Sequence, residues 1–127
     1  MKNLKKYNPQ NRYELLELVR DKNIYLGNID TSAITDMSNL FFRAKRTNFS
    51  GIESWDTSNV ITMEDMFAEC TRFNIPIGCW NVSKVKDMSF MFYKCATFNQ
   101  PLSFTPFLIK ISFILYRSFL CKKVLLR

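Results

Sequence analysis

The side chains richest in chemistry in this 127-residue chain are four cysteines, Cys70, Cys79, Cys95 and Cys121, and the sequence holds no histidine to accompany them. Zinc sites are built from close Cys pairs completed by further Cys or His. Here 8, 15 and 25 residues separate successive cysteines, so neither a metal site nor a cofactor is expected. Missing histidine also removes the commonest general base, which argues against an enzyme. Acid–base hydrolysis needs two carboxylates held in a cleft. Asp56, Glu64, Asp65, Glu69 and Asp87 supply carboxylates, but no spacing among them builds a cleft. Glu64, Asp65 and Glu69 read instead as solvated, and no catalytic residue is assigned.

Two further features invite a binding role. Trp55 and Trp80 could form a stacking platform for a glycan or a base, or could be the large buried anchor of a repeated unit, and the second reading fits their recurrence among core positions. "RAKR" at 43–46 could touch phosphate, but so short a cluster reads better as a solvated loop.

These residues belong to a repeat. At an offset of 25, ten identities fall in one gapless period: Trp55/Trp80, Ser58/Ser83, Val60/Val85, Met63/Met88, Met66/Met91, Phe67/Phe92, Cys70/Cys95, Phe73/Phe98, Asn74/Asn99 and Pro76/Pro101. An earlier copy aligns at an offset of 26, "DTSAITDMSNLF" (30–41) against "DTSNVITMEDMF" (56–67), with two extra residues around Lys45–Thr47 and Ile29 in place of the tryptophan. Met63, Met66, Phe67 and Cys70 stand at i, i+3, i+4 and i+7, which predicts one face of a short helix. Asp36, Thr62 and Asp87 are placed to cap it. "SWDTSNV" and "CWNVSKV" fit a brief strand and turn. A unit this small must stack on its neighbours, which predicts the rows Ile34/Val60/Val85, Phe41/Phe67/Phe92 and Phe49/Phe73/Phe98. Cys70 and Cys95 occupy the slot held by Ala44 and read as buried free thiols. Asn74 and Asn99 share a row where their amides could satisfy loop backbone groups from turn to turn.

Ahead of the repeats, Pro9 to Lys22 reads as a helix, about residues 10–22, with Asn11 and Glu14 forming a capping box. "NIYLGNI" (23–29) is a plausible strand. Together they would cover the N-terminal end of the stack. The expected organisation is an N-terminal cap over 1–28, repeats over 29–54, 55–79 and 80–102, and an atypical tail over 103–127.

The phrase "WDTSNV…M…MF…C…FN.P….WNVSKV.DMS.MF..C..FNQPL", with the lead-in at 6–41, resembles the BspA-like bacterial surface-protein repeat, a leucine-rich-repeat-like family. The resemblance spans about residues 5–102. It implies an α/β fold, a short right-handed solenoid with an N-terminal capping helix, used for surface display, adhesion and binding of a protein partner. It brings no catalytic residues.

The charge must be mapped before it is interpreted. Residues 1–102 carry 13 Lys+Arg against 11 Asp+Glu, a difference of +2, whereas residues 103–127 carry five cations and no acid. Most of the net charge of +7 is therefore a property of the tail, and no nucleic-acid partner is expected. Phe, Leu, Ile, Lys and Ser make up 18 of the 25 tail residues. That bias is expected of out-of-frame translation of AT-rich coding sequence, cutting a longer array short. The rival reading is a membrane-associated segment over residues 107–121, apolar with Lys and Arg at its end. No secretory signal is visible, so the chain reads as cytoplasmic by sequence and as cell-surface by resemblance.

Overall fold

Alternate backbone amides set the architecture. The computed structural model describes residues 5–102; the tail, with its frameshift and membrane readings, lies outside the described residues. Segments 37–44, 63–70 and 88–95 each run as overlapping four-residue turns. In the second of them, Met66 N–H returns to the carbonyl of Met63, Ala68 to Asp65 and Cys70 to Phe67. The intervening amides point along the stack. Met37, Asn39, Phe41 and Arg43 donate to the carbonyls of Thr62, Glu64, Met66 and Ala68 at 2.8 to 3.1 Å. Met63, Asp65, Phe67 and Glu69 repeat the pattern onto Asp87, Ser89, Met91 and Tyr93.

This geometry requires residues in the left-handed region, the position a type II turn imposes on its third residue. They are Asn39 and Arg43, Asp65 and Glu69, Phe90 and Lys94, with φ from 52° to 57°. The helical turns expected in each period are therefore replaced by chains of turns. The burial they were to provide is present, since Met63, Met66, Phe67 and Cys70 are all inaccessible, as are Met91, Phe92 and Cys95. A helix directs all its amides along its own axis. A chain of turns spends only half of them internally and bonds its neighbour with the rest.

The expected strands are also absent among the described residues, reduced to isolated parallel bridges Asp36↔Thr62, Thr62↔Asp87 and Tyr7↔Ile29. The chain bends where short polar side chains take up backbone amides two residues on. Asp30, Asp56 and Asn81 accept from Ser32, Ser58 and Ser83 at 2.9 to 3.0 Å. Asp36, Thr62 and Asp87, placed in the sequence as helix caps, accept from Ser38, Glu64 and Ser89 instead as turn-formers.

Between these bends run the rows of the core. Phe41, Phe67 and Phe92 stack nearly parallel at 5.4 and 5.9 Å. Phe73 and Phe98 continue alongside at 5.5 Å, while Phe49, in the irregular first copy, meets Phe73 edge-on at 84°. The Asn row bonds as expected, Asn74 Oδ1 accepting from Asn99 N–H at 3.1 Å.

The cap is shorter than its apolar pattern suggested. Helix α1 spans Arg12–Arg20, ended by Asp21 in extended conformation. Asn11 Oδ1 caps Glu14 N–H at 3.0 Å, while the Glu14 carboxylate reaches Gln10 N–H rather than that of Asn11. Leu15 and Val19 face the core. "NIYLGNI" is not a strand: it folds as a 3-10 turn over Leu26–Asn28 before Ile29 bridges to Tyr7. Arg12 performs a further service. Its Nε donates to Ser38 O at 2.6 Å, the carbonyl whose counterpart Glu64 O accepts an amide from the preceding period.

Candidate functional site

Most of the chemically capable residues are consumed by the stack. The tryptophans are anchors: Trp55 and Trp80 are 4% and 1% exposed. Each indole N–H reaches back to a carbonyl near the end of the preceding unit, Leu26 O at 2.8 Å and Ile52 O at 3.1 Å. Buried indoles normally find such a partner. Cys70 and Cys95 are buried free thiols, Cys95 Sγ lying 3.2 Å from Cys70 O. Burial pushes the Cys70 thiol up to about 12, which makes it unreactive at neutral pH. Cys79 is an exposed free thiol, and Cys121 lies outside the described residues. Among the described residues no group of three or more His, Cys, Asp or Glu side chains could hold a metal ion, and no helix is long and apolar enough to cross a membrane.

The carboxylates stay apart in function. Glu64 is exposed, and Glu69 takes a 2.7 Å ion pair with Arg43. Asp65, half-buried, has its carboxyl raised above the ordinary value by burial and then by the neighbouring charge of Asp87. Asp30 is lowered by the side chain and then the backbone amide of Ser32.

The basic cluster behaves differently from a solvated loop, and sequence reasoning missed why. Arg46 is 7% exposed. Its guanidinium donates to four carbonyls: Asp21 at 2.6 Å, Ile24 at 2.9 Å, Asn48 at 3.0 Å and Val19 at 3.2 Å. It thus ties the end of α1, where the helix leaves the Val19 carbonyl open, to the first repeat. Burial lowers its pKa and the Asp21 charge opposes that. The available signal was the two-residue insertion at Lys45–Thr47, which lifts this stretch out of the regular period.

Around Arg46 the structure opens a groove of about 750 Å³ between the end of α1 and segment 39–46. Six cations line it, Arg12, Arg20, Lys22, Arg43, Lys45 and Arg46, against one carboxylate, Asp21. Arg20, Lys22 and Lys45 are exposed. Phe42, 41% exposed, lies beside Arg43 with 5.0 Å between guanidinium and ring.

Compared with known proteins, residues 10–107 match the family model described as Mycoplasma protein of unknown function, DUF285. No curated protein and no solved structure matches the chain.

Proposed function

Because the chain belongs to the DUF285 family of Mycoplasma proteins of unknown function, we propose that it is a non-enzymatic repeat scaffold that presents its surface to a protein partner. In this reading it is a short right-handed solenoid of the BspA-like, leucine-rich-repeat-like kind, serving adhesion. One observation carries the proposal: the chemistry-bearing side chains that recur from period to period are spent on joining periods. Thr31 and Thr57 donate to Asp56 O and Asn81 O, the tryptophans to Leu26 O and Ile52 O. The varied row Ala33, Asn59 and Lys84 is exposed. A constant frame with a varied exterior suits recognition, whereas catalysis asks for converging groups.

Adhesion of beads coated with the purified chain to bacterial and host cell surfaces tests the reading. Saturable adhesion that is lost when the target surface is treated with protease is expected. Unsaturable adhesion, or adhesion indifferent to proteolysis, would overturn it. The second reading is membrane association through residues 107–121, favoured by that segment's apolar run and terminal cations. Flotation with anionic vesicles tests it: Ile109→Asp with Ile114→Asp should abolish flotation, and equal flotation of both chains removes it.

A further inference from the structure

We propose that the groove between α1 and segment 39–46 binds an extended acidic segment of the partner protein, whose backbone amides pair with the open carbonyl edge of the first period. The inference rests on the protein-binding reading and names the chemistry of its partner. Each period offers carbonyls toward its N-terminal side. In the second period, Met66 O and Ala68 O accept from Phe41 and Arg43 of the period before. Their counterparts in the first period, Leu40 and Phe42, line the groove. Among the described residues no hydrogen bond reaches either carbonyl, whereas Ser38 O, one step earlier, is taken by Arg12. Two acceptors at alternate residues on a chain edge are what an added extended peptide pairs with.

The surrounding charge selects an acidic peptide. The described residues hold twelve Lys and Arg, and six of them line this one groove. Arg12 and Arg43 have partners, and the buried Arg46 is held on carbonyls rather than on a carboxylate. Arg20, Lys22 and Lys45 remain at the surface, with no ion pair among the described residues. Carboxylates on alternate residues would meet these cations while the peptide amides met the carbonyls. Exposed Phe42 and half-buried Leu16 give the same segment an apolar contact.

Other occupants fit less well. Free phosphate or a nucleic-acid backbone brings acceptors and no amide donors to the carbonyl edge. The chain's own tail contains no Asp or Glu, so it cannot supply the carboxylates.

Fluorescence anisotropy on the full chain provides the test. The probe is a labelled ten-residue peptide with glutamate at alternate positions. Controls are its glutamine counterpart, its counterpart N-methylated on alternate amides, a thymidine decanucleotide, and anionic vesicles. Salt-sensitive binding of the glutamate peptide is expected, weakened at least tenfold by Lys22→Glu with Lys45→Glu and by N-methylation. Lys84→Glu with Lys86→Glu should leave it unchanged. Absent binding, equal binding of the glutamine or N-methylated peptide, or equal loss with the Lys84 and Lys86 pair would overturn the proposal. So would tighter binding of the oligonucleotide or of vesicles through the same lysines. Concentration-dependent dimerisation abolished by Lys22→Glu with Lys45→Glu would assign the groove to a second copy and equally overturn it. Bead adhesion measured on the same variant separates the two readings: adhesion that persists without peptide binding ends the groove proposal alone.

Discussion

Arg46 shows how much one residue can decide when its environment is tertiary. Four carbonyls from three segments converge on its guanidinium, and removing it would leave those of Val19, Ile24 and Asn48 without a donor in a largely buried site, Asp21 O keeping the amide of Ile24. Arg46→Met should therefore cost about 3 kcal/mol by chemical denaturation, from charge-assisted bonds lost and acceptors orphaned. Arg46→Lys should recover only part of that, because one ammonium cannot reach all four. Lys45→Ala next door should fall within about 0.5 kcal/mol of the parent, being exposed. Asp65 carries a prediction of opposite sign. Burial and Asp87 raise its carboxyl above 3.8, so its charge is harder to form in the folded chain than in the unfolded one. That penalty is present above the raised pKa and disappears as pH falls through it. Asp65→Asn should therefore raise Tm at about pH 7, with the pH-dependent part of the gain gone by about pH 3. Neither residue's role was legible in the sequence. Both depend on which segments meet, and a basic tetrapeptide or an acidic turn looks solvated until its neighbours are placed.

At the scale of the element, the inward positions were readable and the backbone path was not. Met63, Met66, Phe67 and Cys70 were placed together from spacing alone, and all are buried. Yet i, i+3, i+4, i+7 is satisfied equally by a helix and by successive three-residue-spaced turns. The residues that distinguish them, Arg43, Glu69, Phe90 and Lys94 at positive φ, are not types that advertise that conformation. Each such residue costs about 1 kcal/mol locally, a cost offset by the bonds between periods. The Phe67 ring joins these layers, lying 5.4 Å from Phe41, 3.9 Å from Phe73 and 5.9 Å from Phe92. Phe67→Ala should cost about 4 kcal/mol, read as a lowered denaturation midpoint, from lost burial and the cavity left behind. Tyr13→Ala, at 77% exposure, should change the midpoint little. The Asn11 cap on Glu14 N–H was legible because it is local, although the Glu14 carboxylate turns to Gln10 N–H and leaves the box unclosed. The end of α1 at Arg20 was not, because Arg46, 26 residues away, helps to fix it.

For the whole molecule, the repeat was the strongest signal, and the aromatic rows follow from it. The groove was invisible because it forms where the cap meets the irregular first copy, at a junction the period does not describe. Coupling between near neighbours also shapes the dynamics. Segment 63–70 is bonded on both sides, to 37–43 and to 87–93, and its amides should exchange most slowly with solvent. Protection should fall toward α1, which is tied to the first repeat by the Arg12 and Arg46 side chains rather than by a ladder of amides. Amide hydrogen exchange read residue by residue checks this; faster exchange at Phe67 than at Leu16 would contradict it.

The ladder of amides also has a grain. Along segments 37–43 and 63–69 donors face one end of the stack and acceptors the other, while at the bridges Ile61 and Lys86 donate the opposite way, to Thr35 O and Ile61 O. Along the turn segments, two copies meeting through like ends would oppose acceptor to acceptor. Head-to-tail joining would match donor to acceptor along these segments, and a head-to-tail contact that does not close into a ring continues as a fibre. Seen this way, α1 and the bond from Arg12 to Ser38 O act as a stopper, withholding one rung of the edge on which such polymerisation would begin.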